Sequence, residues 1–497
     1  MARSQSHDFA YLPSDIFWMI LVYLGAEDIV RCRRVSRAWH AALTNPAILI
    51  PFLKREFPWT TEVKKLNSSS GSANQDSALE LFDRVASRCH SLERGKPRSV
   101  QTIQLCNNFG STGDLEWYQV QPWDSHSSQK KILVDRQFPE AFWTVEDNLL
   151  VYPSAVHQCL VLRDLETDRQ FMVPFIITGK VIRRVRLAKR LLVIEWAEPK
   201  AFHWLNDSDG VHRHFASSFD ISKNATNGWN IAPRNEWKIM FLGHPLSDRD
   251  RFFSSHNNTH YVIYIWQPNR SLYTADEDAP IESLFVWDIS KESSYRPSLD
   301  PTGQLRDPDT PDDSPHIVSR FSFRDLEFFG VRQRGCPRIQ RLSITDDSRA
   351  IEISESVTGH QAVPALPLSP SLMSVTTSIP LAGHGPHWQR ECEGEIPPYR
   401  GSFGLNPEII GHDGMIPIPL YEMLAHVSTG DVSFCLEFDP FLRSADEVFR
   451  LTIQTPRSRC TDDHHVDFAG RGKLAGCERY LVGENSNREL IIYRFDR

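Results

Sequence analysis

From about Ser99 to the C-terminus the apolar residues recur with a period of two, and this rhythm constrains the fold more than any other feature of the chain. Strands are predicted at Leu149–Tyr152, Cys159–Leu162, Phe171–Phe175, Leu191–Trp196, Tyr261–Trp266, Leu284–Trp287, Ile339–Ile344, Ala350–Ile353, Val432–Phe438 and Leu490–Phe495, with helical segments almost absent. Before Ser99 the spacing is helical. The expected fold class is therefore α+β and multidomain: a small N-terminal three-helix module over 8–50, a helical linker over 51–98, and a large all-β domain over 99–497. The low-complexity run at 67–77 interrupts the linker as a loop, and Ala78–Glu93 reads as its second helix. Acidic and Pro/Ser/Gly-rich stretches at 300–315 and 363–398 are expected as long exposed loops of the β domain. With 28 Phe and 13 Trp the chain can fill a core of that size, and 32 Pro suit many turns.

Several strands recur as one unit, a short apolar strand, a polar turn, a second strand ending at an aspartate, and a third. The best copy runs from Asn148 through Cys159–Asp164 to Pro174, and similar endings occur at Asp220, Asp288 and Asp496. This resembles the blades of a β-propeller, in which radial packing of four-stranded sheets hides their edges. The intervals exceed the roughly 40–45 residues of a WD repeat, so the blade number stays open, and an irregular all-β sandwich is the alternative.

Three short helices fit Leu12 to Pro46. Pro13 suits a position where its missing N–H has no partner, and Ser14 and Asp15 favour a helix from about Ser14 to Leu24. Gly25 stops it, Glu27 and Asp28 open a second helix carrying Ile29, Val30 and Val35, and Ser36 caps a third that ends at Asn45-Pro46. The first helix is apolar nearly all round. Ile16, Met19, Ile20 and Tyr23 share one side, while Phe17, Trp18, Leu21 and Leu24 fill much of the rest. Such a helix needs cover from the rest of the chain or from a partner, since spanning a bilayer takes roughly 20 apolar residues.

The ordered pattern Leu12-Pro13, Ile16, Ile20-Leu21, Leu24, Asp28, Arg31, Val35-Ser36, Trp39 and Asn45-Pro46 resembles the F-box family. A weaker likeness extends through the helix before Arg94-Gly-Lys-Pro97, similar to the linker between an F-box and a repeat domain. The resemblance implies a non-catalytic substrate-recognition subunit of an SCF-type ubiquitin ligase. It would bind the Skp adaptor, and through it cullin, by its F-box, and an unidentified protein substrate by its β domain. It singles out Leu12, Pro13, Ile16, Ile20, Leu21, Leu24, Val35 and Trp39 as partner-binding or module-core residues, and the sequence does not divide these two groups. A scaffold that binds the adaptor without a ligase role is the alternative; a propeller enzyme with an inactive F-box is a third reading.

Other features point the same way. A net charge of -8 disfavours a nucleic-acid footprint. The basic run Lys180 to Arg190 reads as a strand with Arg184 and Arg186 on a solvated face and Val181, Val185 and Leu187 inward, in preference to a nuclear localisation signal. No N-terminal apolar signal region or membrane-length run occurs, so a cytoplasmic or nuclear location without membrane attachment is expected. Nine cysteines without a CxxC pair indicate neither a zinc module nor a disulfide framework. No nucleophile elbow, HExxH or P-loop is found, so no catalytic residue, cofactor or metal is assigned. The cluster at Thr461–Asp467 and the pair His212 and His214 carry metal-type ligands without a standard spacing and are read as a solvated polar loop and a strand. Thr310-Pro311 and Ser314-Pro315 match proline-directed phosphorylation sites, dipeptides common by chance.

Overall fold

A computed structural model describes residues 13–68, 75–106, 142–204, 210–225, 228–239, 244–245, 251–267, 280–300, 314–334, 337, 339–358, 372–381, 389–393, 422–438, 449–462, 473–485 and 487–496. The chain divides into two compact units, one formed by residues 1–103 with 421–497 and the other by residues 104–420.

Among the described residues the first unit holds six helices: α1 (Ser14–Leu21), α2 (Ala26–Cys32), α3 (Arg37–Leu43), α4 (Pro46–Glu56), α5 (Thr61–Ser68) and α6 (Gln75–Glu93). Local chemistry sets their boundaries. The Ser36 hydroxyl accepts the Trp39 N–H at 3.1 Å to open α3, and Asn45 accepts the Ala47 N–H at 2.9 Å to open α4, with Pro46 in its first turn. After α6, Gly95 adopts φ +67°, and the Lys96 N–H reaches back to the Ser91 carbonyl at 3.0 Å, the six-to-one bond of a glycine-terminated helix. Phe52, Leu53, Val63, Phe82, Val85 and Leu92 bury the inner sides of α4, α5 and α6.

Two antiparallel four-stranded sheets complete this unit. One places the strand Ser99–Gln104 beside the last strand of the chain, Glu489–Arg494, followed by Tyr480–Glu484 and Leu474–Cys477. The other runs Glu422–Thr429, Val432–Phe438, Phe449–Gln454 and Arg459–Asp462. The strand that follows the helices is thus fixed by the C-terminus, a pairing between strands nearly the whole chain apart.

The second unit contains four antiparallel four-stranded meanders: Thr144–Glu146 to Gln170–Met172; Val181–Ala188, Leu191–Ala197, His214–Lys223 and Trp229–Lys238; Arg251–His256 to His316–Phe321; and Ile339–Ile344 to Gln389–Glu393. A small sheet of His203–Trp204, Gly210–His212 and His244–Pro245 is added to them, and a short helix α7 (Phe323–Phe328) follows the third. Consecutive meanders pack face to face. Leu149, Val151 and Leu162 of the first join Ile182, Ile194 and Trp196 of the second; Leu191, Val193 and Trp237 join Phe252, Tyr261 and Trp287 of the third; and Val262, Tyr264 and Val286 join Leu342, Ile351 and Ile353 of the fourth. Burial on both faces explains why Leu191–Ile194 reads as an unbroken apolar run.

The meanders are tight because their hairpins accept left-handed pairs. Asp147-Asn148 and Lys189-Arg190 each have two successive positive φ values, as a two-residue hairpin turn requires. The Glu146 carboxylate accepts the N–H groups of Lys189 (2.6 Å) and Arg190 (3.1 Å), which steadies the second pair without a glycine.

Several expectations are corrected. The β-propeller is not what the strands establish: the described residues form a large all-β region of several sheets, with no closed propeller or barrel. Arg184 does not face solvent. Val185 and Leu187 face the core as expected, but the opposite face is covered by the next meander: Arg184 is buried, 3.6 Å from Glu195, donating to Ser254 Oγ (2.7 Å) and the Phe252 carbonyl (3.1 Å). Arg186, half-buried, donates to the Ser254 carbonyl. The stretch 363–398 includes the strands Leu372–Pro380 and Gln389–Glu393. Val375, Thr377 and Ile379 alternate inward there, a period that the flanking Ser and Pro obscured. Helix α1 stops at Leu21, three residues early, where Tyr23 and Leu24 turn back on the carbonyls of Ile20 and Leu21. The residues 301–313 of the other expected loop, and 463–467 of the polar cluster, lie outside the described residues.

Candidate partner-docking face

The N-terminal module is organised around α1. Asp15 sits in its first turn, and Phe17 and Leu21 point inward with 4% and 0% exposure. The Phe17 ring meets Trp39 of α3 edge-on, with centroids 6.1 Å apart. Arg55 of α4 covers the same helix: its Nη2 donates to the Leu21 carbonyl at 3.2 Å, and its guanidinium lies 5.7 Å from the Trp18 ring centroid. One side of α1 is therefore closed by α3 and α4.

The other side is open. Ile16, Met19, Val22 and Tyr23 are 46%, 65%, 51% and 88% exposed, and Ile16, Met19 and Tyr23 follow the spacing that lines up side chains on one helical face. Val30 and Val35 add exposed apolar surface at α2 and the turn after it. Single exposed apolar residues are ordinary; here Ile16, Met19, Val22 and Tyr23 cluster within eight residues on and just after α1, opposite the side that packs against α3 and α4. No carboxylate is placed on the Ile16–Met19–Tyr23 stripe itself. Its chemistry is that of an apolar anchor surface, with Asp15 and the Glu27–Arg31 pair as charged groups nearby in sequence.

The eight residues singled out from the sequence fall into distinct places. Pro13, Ile16 and Val35 are exposed, Ile20 and Leu24 are half-buried, and Leu21 is core. Trp39 is half-buried against Phe17. Leu12 lies outside the described residues. Met19, Val22, Tyr23 and Val30 were not among the eight. For Met19 and Tyr23 the signal was present, since both share the helical side of Ile16.

The base of the module is tied to the helices beyond it. Arg33 at the end of α2 pairs with Asp83 of α6 at 2.6 Å and stacks 4.6 Å from the Phe82 centroid. Farther along, Glu62 of α5 and Arg88 of α6 form a buried pair that also engages Glu478 and Arg479 on the C-terminal sheet of the same unit. Burial alone would raise the Glu62 pKa, but hydrogen bonds and charge from Arg88, with Arg479, hold it down at about 2.

The histidine pair is placed without a metal-type arrangement. His212 Nδ1 lies 2.8 Å from the Glu198 carbonyl and His214 Nδ1 lies 3.1 Å from the His212 carbonyl; both rings are buried, and their strands belong to different sheets. Among the described residues no group of three or more His, Cys, Asp and Glu side chains is arranged to hold a metal ion. No helix among them is long and apolar enough to cross a membrane.

A family model described as F-box-like matches residues 9–49, the segment containing α1 to α3 and the start of α4. No curated protein matches the chain. Similar solved structures include a chain of the mitotic checkpoint complex (7% identity, TM-score 0.31, covering 81% of this chain and 96% of that one). They also include the tricorn protease (9% identity, TM-score 0.21, 72% and 43%) and an acylaminoacyl peptidase of Pyrococcus horikoshii (10% identity, TM-score 0.28, 69% and 47%). At these TM-scores the likenesses carry no argument about fold or function.

Proposed function

We propose that this chain, which carries an F-box-like domain at residues 9–49, is a substrate-recognition subunit of an SCF-type ubiquitin ligase. The F-box docks the Skp adaptor, which brings cullin, and the all-β region holds a protein target. The observation that carries the reading is the two-sidedness of α1: Phe17 and Leu21 close the module's own core, while Ile16, Met19, Val22 and Tyr23 remain for a partner. Pro13, Ile16, Ile20, Leu24 and Val35 serve that contact with them. Leu21 acts from inside by setting the helix in place, and Trp39 acts by bracing Phe17. Burial of such an apolar stripe favours association because it removes the exposed side chains from water.

In this role the chain performs no bond chemistry. Its contribution is proximity, holding a target lysine within reach of the charged conjugating enzyme and so replacing a bimolecular encounter by a local one. The test is capture of purified Skp adaptor and cullin by the full chain. Recovery of both supports the ligase-subunit reading. Recovery of the adaptor without cullin shifts it to a scaffold, and recovery of neither overturns it.

A further inference from the structure

The segment from Arg320 to Arg334, which leaves the edge strand His316–Phe321 and forms α7, turns only part of itself inward. Leu326 and Val331 are fully buried, and Phe321 and Phe329 are half-buried and meet edge-on at 5.9 Å. Phe328, 5.3 Å from Phe329, extends the aromatic row outward and is 71% exposed; Phe323 is 46% exposed. Guanidinium groups flank the row. Arg332 and Arg324 lie 5.1 Å and 5.8 Å from the Phe323 centroid, and Arg320 lies 5.3 Å from the ring of Phe285, its cross-strand neighbour.

The charges on this patch are unevenly matched. Glu327 pairs with both Arg332 and Arg334, Glu282 lies 3.8 Å from Arg332, and Asp325 bonds the Ser322 hydroxyl and N–H. Arg320 and Arg324, both exposed, make no ion pair among the described residues. In a chain of net charge -8, two guanidinium groups without an ion pair among the described residues, beside two exposed phenyl rings, form a local site of the opposite sign. Guanidinium groups select carboxylates by charge and geometry, and the rings offer an apolar or stacking contact that water does not satisfy.

We propose that this patch is a docking surface for an acidic segment of a partner protein that carries an aromatic or aliphatic side chain among its carboxylates. Its biological setting rests on the substrate-recognition reading above, for which it names the class of target. The carboxylates meet Arg320 and Arg324, and the apolar side chain lies against Phe323 and Phe328.

The test is fluorescence anisotropy of the full chain with a labelled peptide of about a dozen residues, glutamates interrupted by phenylalanine. Two control peptides replace Glu by Lys or Phe by Ala. Wild type is expected to bind the Glu/Phe peptide saturably, more weakly at about 300 mM than at about 50 mM salt. R320E/R324E and F323A/F328A should each weaken it by about tenfold or more, with unchanged thermal melts. Absence of saturable binding, equal binding of the lysine peptide, or unchanged affinity in either variant overturns the proposal. Self-association by sedimentation velocity that F323A/F328A abolishes also overturns it, because the occupant is then a second copy of the chain. Adaptor capture is scored on the same samples: peptide binding without adaptor capture removes the ligase reading and leaves the docking surface, and the reverse removes only the docking surface.

Discussion

Arg88 and Glu62 meet through two hydrogen bonds, Nη1 to one carboxylate oxygen at 2.8 Å and Nη2 to the other at 2.6 Å. Arg88 is fully buried and also lies 3.3 Å from Glu478, whose carboxylate accepts the Thr61 N–H at 3.1 Å. Arg88→Met would leave two carboxylates facing each other with only Arg479 to offset them, at a cost of about 3–5 kcal/mol in a denaturant titration. Lys at this position should recover only part, lacking the two-point fork.

The same pair sets an acid limit. The folded-state pKa of Glu62 lies below its ordinary value, so its contribution is complete above about pH 4.5 and is lost as pH falls toward about 2. Glu62→Gln should flatten the stability profile in that window, measured by urea unfolding at stepped pH. An unchanged slope would contradict the pairing.

His256 works in a milder range. It is buried, and its ring lies 2.9 Å from the Leu191 carbonyl; burial pushes its pKa down to about 4. The unfolded chain binds a proton first, so stability should fall between about pH 6.5 and pH 4, by up to about 3 kcal/mol from this group. His256→Gln should remove that portion of the pH dependence, read from thermal melts.

Gly95 has φ +67°, and a Cβ there would come within 2.9 Å of Cys460 Sγ. Gly95→Ala should therefore cost more than the roughly 1 kcal/mol of left-handed strain alone. Cys460→Ala in the same background should return the steric part of the loss, while the backbone part persists.

The legibility of this chain follows from the range of the interactions involved. Helix ends were readable because they are local: Ser36, Asn45-Pro46 and Gly95 act within a few residues of themselves. The strands Ile339–Ile344 and Val432–Phe438 match their predicted limits because alternation or apolar runs mark them directly. Arg184 and Arg186 alternate with Val185 and Leu187 as the sequence suggests, yet their face lies against Phe252 and Ser254 of the next meander, a cover that no local signal announces. Likewise, nothing near Ser99 says that its strand lies beside Glu489–Arg494. In the N-terminal module the apolar residues of α1 are visible in the sequence, yet which side is core depends on Trp39 and Arg55, distant in sequence.

Substitutions on the two sides of α1 should separate accordingly. Leu21→Ala opens the packed side and should cost about 2–5 kcal/mol of stability. Met19→Ala and Tyr23→Ala, on the exposed side, should stay within about 0.5 kcal/mol of wild type by thermal or denaturant unfolding. Comparable losses on both sides would show that α1 is covered by the chain itself.

The most direct measurement is a calorimetric titration of purified Skp adaptor into the full chain and into the Met19→Ala/Tyr23→Ala variant, with melting curves matched beforehand. Wild type should bind with one adaptor per chain, and the folded variant should bind about 30-fold more weakly or not at all, the loss expected of about 2 kcal/mol at an interface anchor. Equal affinity in both, or no heat of binding with wild type, would contradict the assignment of the α1 face to the adaptor.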